Sequence, residues 1–207
     1  EMAASGKLYV VGMGPGSLDG MTKEAFKAIG DCQVIAGYTV YADLVKPYFP
    51  DKEYLTTPMT KEEARCRMAF ECCMEGKDTA MICSGDSGVY GMAGLILELS
   101  ATYPGVEIKM IPGVTAACAG AAGLGAPLTH DFAVVSLSDR LTPIEMIWER
   151  IEKAAQADFV VCLYNPSSKK RHDYLQKACD LMMKYKSPDT ICGTVSNIAR
   201  EGEEAHV

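Results

Sequence analysis

The chain has 207 residues, of which 48% are apolar and 23% charged, and its formal net charge is −7. This is an ordinary globular composition, long enough for one large domain or two of about 100 residues. The acidity argues against a nucleic-acid backbone as the main partner, since that requires clustered Lys and Arg, and leaves room for a small local basic pocket.

Nine cysteines are scattered without a C-x-x-C pair, and the three histidines (His130, His172, His206) show no metal-ligand spacing, so no metal site is expected. No apolar signal segment precedes Lys7, and the Ala/Gly-rich stretch over 114–128 is too short and too weakly apolar to span a bilayer. A reducing cytoplasm is the expected compartment.

Residues 1–6 read as an unstructured leader. The apolar run that follows, Leu8-Tyr-Val-Val, breaks at Gly12 into Gly12-Met-Gly-Pro-Gly16. Glycine lets the backbone approach a ligand there, because it lacks a Cβ and tolerates positive φ. A dinucleotide site would need G-x-G-x-x-G and an acidic residue about 20 positions on. Here the third position is Ser17, Pro15 removes an amide that would face a pyrophosphate, and the next apolar run ends in Gly37. The turn therefore serves another ligand.

Helix-like and strand-like segments then alternate, which predicts an α/β protein with a largely parallel sheet. The expected elements are a helix over 22–29, a strand over 32–36 and a helix over 41–48. Thr60-Lys-Glu-Glu63 reads as a capping box opening a helix to residue 75, with Gly76 just past its end. Adjacent Cys72 and Cys73 read as small, half-buried side chains of that helix. A strand over 78–83 ends in Ser84-Gly-Asp-Ser-Gly88, a helix follows over 89–102, and a strand over 106–111 ends in Pro112-Gly-Val-Thr-Ala-Ala117. The next helix is almost entirely Ala, Gly and Cys, so something packs close against it.

Gly125-Ala-Pro127 resets the pattern and divides the chain into 1–126 and 127–207. A strand is expected over 132–137, then a capping box at Thr142-Pro-Ile-Glu145 with proline at the first helical position. A helix to 155, a strand over 158–164, a helix over 168–185 and a strand over 190–194 follow. Residues 203–207 read as a strand entry, so the second half reads as ending early.

Three strands thus end in small-residue loops, and ligands of open parallel sheets sit beyond such carboxyl ends. Gly12-Met-Gly-Pro-Gly16, Gly85-Asp-Ser-Gly-Val-Tyr-Gly91 and Ile111-Pro-Gly-Val-Thr-Ala-Ala117, in this order and spacing, resemble the tetrapyrrole methylase family over essentially the whole chain. Three further stretches, Gly37-Tyr-Thr-Val-Tyr-Ala-Asp-Leu44, Ser136-Leu-Ser-Asp-Arg-Leu-Thr-Pro143 and Leu163-Tyr-Asn-Pro-Ser167, are similar to the branch that methylates carbon 17 of a precorrin and contracts its ring in cobalamin synthesis. The family often has an aromatic after the Thr-Pro pair, whereas this chain has Ile144 and places Trp148 a turn later.

The resemblance implies two α/β domains with mostly parallel sheets and a cleft between them for S-adenosylmethionine, with S-adenosylhomocysteine as product. It also implies a tetrapyrrole substrate, with or without cobalt, and a homodimer. Gly85, Asp86, Val89, Thr115 and Ala116 match family positions that contact the methionine end of the cofactor, with Pro15 beside it. Tyr164, Asn165, Gly193 and Thr194 match positions at strand ends of the second domain. Each has a plainer reading beside this one: Asp86 as a cap of the next helix, Tyr164 as a packed strand end, Asn165-Pro166 as a turn.

Methyl transfer from a sulfonium is an in-line displacement, so alignment is most of the work. Ring contraction adds proton transfers, for which Asp139, Tyr41, Ser136 and His130 are candidates by resemblance and chemistry. A lone His before a strand is more often solvated. Guanidinium groups bind carboxylates bidentately, which points Arg140 and the Lys169-Lys-Arg171 run at the substrate's acid groups; the plainer reading of the run is a solvated helix start. Other readings stay open: methylation at another precorrin position or on another acceptor, a nicotinamide oxidoreductase, and a non-catalytic corrinoid-binding module.

Overall fold

The computed structural model describes residues 4–58 and 60–207. By internal contact the chain falls into two compact units. One takes in the chain to Ala119 together with Asn197–Glu203, and the other Gly120–Ser196 with Glu204–Val207.

The first unit is built from β1 (Leu8–Gly12), α1 (Lys23–Asp31), β2 (Val34–Tyr38), α2 (Thr39–Val45), β3 (Glu53–Thr57), α3 (Glu62–Met74), β4 (Thr79–Cys83), α4 (Ala93–Leu99) and β5 (Ile108–Ile111). The five strands form one wholly parallel sheet in the order β3-β2-β4-β1-β5. Side-chain alternation covers both faces. Val11, Ile35, Ala80 and Ile82 pack with Ala25, Ala28 and Ile29 of α1. Leu8, Val10, Ala36, Met81 and Cys83 pack with Cys66, Ala69, Phe70 and Cys73 of α3 and with Ile96 of α4. Burial on both faces is why the inner strands β2, β4 and β1 read as apolar runs, while the edge strands β3 and β5 carry exposed Glu53 and Lys109.

Several local expectations are corrected. Ser5 and Gly6 are not leader: Gly6 is buried and its amide donates to the Cys73 carbonyl at 2.7 Å, while residues 1–3 lie outside the described residues. The edge strand β3 has no counterpart in the sequence reading. Thr60 does not cap α3; it sits at φ 71°, Lys61 takes the N-cap, and no side chain caps that end. Gly76 at φ 87° does close α3, with Gly76 donating to Cys73 and Lys77 to Cys72, a Schellman motif. Residues 89–92 stay outside α4, so the loop after β4 is longer than expected.

Helix α5 (Ala116–Gly123) leads into the second unit, with β6 (Phe132–Ser136), α6 (Ile144–Gln156), β7 (Val160–Tyr164), α7 (Tyr174–Met182), β8 (Thr194–Ser196) and β9 (Glu204–His206). Strands β6 and β7 are parallel, and β8 and β9 pair antiparallel, so 203–207 is not a strand left without a partner. Its core is Val135, Leu137, Ile147, Ile151 and Ala178, flanked by Trp148 and Tyr174. Pro143 occupies the N-cap of α6 rather than its first turn, with no side-chain cap bond. Helix α7 starts six residues later than expected, and 190–193 is not strand. Among the described residues no helix is long and apolar enough to cross a membrane.

Among the described residues, which include all nine cysteines, there is no disulfide; Cys72 and Cys73 are both buried in α3 rather than half-buried. Burial pushes Cys32 and Cys66 up to about 12, and Cys73 and Cys83 to about 11; the Arg65 guanidinium opposes this at Cys66 and Cys83 without overcoming it. The thiolate is the reactive form, so native protein at pH 8 is expected to label first at exposed Cys118 and Cys192. The four raised thiols react only after denaturation. Peptide mapping after a short pulse of a thiol reagent checks this, and equal labelling of Cys66 and Cys192 contradicts the packing.

Candidate active site

The carboxyl ends of β4, β1 and β5 lie side by side, and each runs into a loop that holds a glycine against the other two. A Cβ on Gly12 would fall 2.7 Å from the Gly85 carbonyl oxygen and 2.8 Å from the Gly113 nitrogen. One on Gly113 would fall 2.2 Å from the Gly85 oxygen and 2.5 Å from the Gly12 oxygen. Backbone is therefore packed directly on backbone. Gly14 and Gly85 exchange two main-chain hydrogen bonds, at 3.0 and 2.8 Å, and both have positive φ.

Asp86 locks the arrangement. Its Oδ1 accepts from the Gly113 amide and its Oδ2 from the Gly88 amide, both at 2.9 Å. The carboxylate thus joins the second loop to the third and does not cap α4, whose N-cap is Met92. Buried Ser87 adds a bond from its hydroxyl to the Ile111 carbonyl at 3.3 Å. Thr115 Cα is the atom nearest to a Cβ built on Gly85, at 3.5 Å, and Ala116 opens α5 directly after it. Pro15, Gly85, Asp86, Val89, Thr115 and Ala116 are accordingly assembled at one end of one sheet. The close approach is of loop on loop, so what the junction offers a cofactor is a fixed main-chain surface at the end of the sheet.

Beside the first loop stands a group that sequence reasoning missed. Arg200 Nε donates to the Pro15 carbonyl at 3.2 Å and Nη2 to Ser84 Oγ at 3.3 Å. Its guanidinium carbon lies 5.6 Å from the centre of the Tyr41 ring, which meets Tyr38 edge-on at 5.2 Å. Gly16 at φ 136° makes room for it, because a Cβ there would sit 2.7 Å from Arg200 Nε. Arg200 is 185 residues from Pro15 in sequence, and no local pattern marks it.

In the second unit Ser136 and Tyr164 are paired at the ends of β6 and β7. Asn165, in the left-handed region at φ 53°, donates from Nδ2 to Ser136 Oγ at 2.9 Å, and the Ser138 amide donates to the same oxygen at 3.2 Å. Asp139 Oδ2 accepts from the Tyr174 hydroxyl at 2.7 Å, and Oδ1 lies 3.8 Å from Arg171 Nη1. The bond to Asp139 pushes the Tyr174 phenol above the usual tyrosine range, so it stays a donor. Arg171 Nε is buried without a hydrogen-bond partner among the described residues.

Lys169 and Arg140 are exposed, the Lys169-Lys-Arg171 run lies in the turn before α7 rather than at a helix start, and His130 is exposed on the bend before β6. Gly193 packs against Leu124, where a Cβ would come within 2.6 Å of Cδ1. Thr194 begins β8 opposite His206 instead of ending a strand.

Residues 7–207 match the family described as Tetrapyrrole (Corrin/Porphyrin) Methylases. A protein of Salmonella typhimurium named probable cobalt-factor III C(17)-methyltransferase is 48% identical over 198 residues, 95% of this chain and 82% of its own. A Priestia megaterium protein named cobalt-factor III methyltransferase is 45% identical over 96% of this chain, but the chain spans only 38% of that longer protein. The crystal structure of the methyltransferase CobJ superposes with a TM-score of 0.91 at 33% identity, covering 98% of this chain and 85% of CobJ.

Proposed function

Because this chain belongs to the tetrapyrrole (corrin/porphyrin) methylase family, we propose that it methylates carbon 17 of a cobalt-bearing tetrapyrrole, cobalt-factor III or cobalt-precorrin-3B, with ring contraction, in cobalamin synthesis. The observation that carries this reading is the glycine-to-glycine junction of the loops after β4, β1 and β5, locked by Asp86. The names of the Salmonella and Priestia relatives favour the cobalt form over the metal-free one.

S-adenosylmethionine, when bound, supplies an electrophilic methyl group on sulfur. The chain's part is to bind and orient. Gly85, Asp86, Val89, Thr115 and Ala116, with Pro15 beside them, are proposed to hold the cofactor in a fixed direction, which is where most of the acceleration of an in-line transfer arises. Tyr164, Asn165, Gly193 and Thr194 are its proposed contacts from the second unit, and the functional division at 126/127 belongs to the same proposal.

Asp139, Tyr41 and Ser136 are proposed for the proton steps. Tyr174 occupies Asp139 Oδ2, so Oδ1 is the atom proposed to take or return a proton. Arg140, Lys169 and Arg171 are proposed to bind substrate carboxylates. The buried, partnerless Nε of Arg171 supports its share, since a guanidinium with an unused donor gains most from an anion.

The reading includes a homodimer in the cytoplasm; nine cysteines outside any disulfide suit a reducing compartment, and sedimentation equilibrium tests the dimer. Isothermal titration is expected to show S-adenosylhomocysteine binding with micromolar affinity and no binding of NAD. Incubation with cobalt-factor III and S-adenosylmethionine is expected to yield a corrinoid one methyl heavier, with the new carbon at position 17 by NMR. Absence of binding by both sulfur cofactors removes the methyltransferase reading, and a methyl at another carbon corrects the position alone.

A further inference from the structure

Arg200 is an anomaly within the first unit. It is half-buried, it carries a full positive charge in a chain of net charge −7, and among the described residues no carboxylate lies within ion-pairing distance of it. Its two hydrogen-bond partners, the Pro15 carbonyl and the Ser84 hydroxyl, are both neutral. A guanidinium has five N–H donors, so three of Arg200's have no partner among the described residues.

The segment that presents it is held in an unusual shape. Asn197 and Ala199 stand at φ 49° and 55°, and Gly202 at 80°. Asn197 Nδ2 donates to the Gly202 carbonyl at 3.2 Å, the Arg200 amide to the Asn197 carbonyl at 2.9 Å, and the Ala199 amide to the Glu203 carboxylate. Two non-glycine residues in the left-handed region cost free energy that such internal bonds must offset, and strain of this kind concentrates at functional positions. The segment sets a guanidinium beside the loops after β1 and β4 and over the Tyr41 ring.

We propose that Arg200 is a carboxylate anchor of the candidate active site. Pro15 and Ser84 fix one edge of the fork, Tyr41 supports its plane, and the remaining donors receive the carboxylate of a bound ligand. This rests on the methyltransferase reading, which offers two sources of that group: the amino-acid end of the cofactor and the acidic side chains of the tetrapyrrole. The arrangement also gives the Tyr41 ring a part in supporting Arg200, beside the role proposed for its hydroxyl.

The test compares Arg200→Gln with the wild-type full chain by titration with four probes. These are S-adenosylhomocysteine, 5′-methylthioadenosine (which lacks the carboxylate), a corrin heptacarboxylate and its heptamethyl ester. The expected result is a loss of about 10- to 100-fold for one carboxylate-bearing probe, the worth of a charged hydrogen-bonded pair, with no change for its carboxylate-free counterpart. The pair that shows the difference identifies the source.

Arg200→Lys keeps the charge without the fork and is expected to lose about threefold to tenfold on the same probe; it carries the test if the Gln variant does not fold. Equal losses on both members of each pair, or no loss, overturn the proposal and leave Arg200 as a strap on the loop at Gly16. A wild-type protein that binds none of the probes removes the methyltransferase reading, and this proposal with it.

Discussion

Gly113→Ala is expected to cost at least about 4 kcal/mol of stability, in the range reserved for severe lesions. The new methyl would stand 2.2 Å from the Gly85 oxygen and 2.5 Å from the Gly12 oxygen. Neither neighbour is a flexible side chain. Gly12 is hydrogen-bonded into the β1–β4 ladder, and Gly85 is bonded in both directions to Gly14. Relief therefore requires two strand ends to part, which exposes the core beneath Val11, Ile82 and Ile111. Ordinary overpacking costs about 1–3 kcal/mol because side chains can shift, and here they cannot.

Urea denaturation followed by circular dichroism measures the effect. Gly94→Ala is the matched control: Gly94 is exposed inside α4, and a Cβ there meets nothing within 4 Å. It is expected to stabilise by about 0.5–1 kcal/mol through helix propensity. A Gly113→Ala protein as stable as wild type would show that the three loops do not pack as described.

Asp86→Ala is expected to weaken S-adenosylhomocysteine binding by about 100-fold or more, since it deletes two hydrogen bonds to a charged acceptor at once. The loss is one of preorganisation. Without the carboxylate, the Gly113 amide and the Gly88 amide lose their partners and the second loop is untied from the third. Asp86→Asn retains one acceptor oxygen but turns an N–H donor toward the other amide, so about a tenfold loss is expected. Calorimetric titration of the three proteins gives the series. Asp139→Asn, in the other unit, should bind the cofactor product as wild type does while losing turnover. Wild-type affinity in Asp86→Ala would show that the carboxylate serves only the fold.

What could be read in advance followed from burial. The inner strands β1 and β4 are buried on both faces, so their sequences are nearly continuous apolar runs, and β5, at the sheet edge, alternates around exposed Lys109; a glycine ends or closely follows each of the three. The edge strand β3, Glu53-Tyr-Leu-Thr-Thr57, is only partly covered and carries no such run. Both capping boxes failed because the S/T-x-x-E spacing cannot report the backbone angle of its first residue. Thr60 lies at positive φ, and at Pro143 the ring itself takes the cap position. The basic run at 169–171 reads at its plainest as a solvated helix start, although cations sit badly at a helix N-terminus; in the structure Arg171 pairs with Asp139 and the helix begins only at Tyr174.

The sequence by itself determined the α/β class, the parallel sheet and the three glycine-ended loops, because apolar runs and turn residues are local signals of buried strands and tight backbone. Only the tertiary structure decided what those loops do to one another. That Gly12, Gly85 and Gly113 touch, that Asp86 ties loops 27 residues apart instead of capping a helix, and that Arg200 returns across 185 residues to Pro15 are facts of long-range contact. Such contacts depend on strand order, which puts β1 between β4 and β5, and strand order leaves no mark in any window of neighbouring residues.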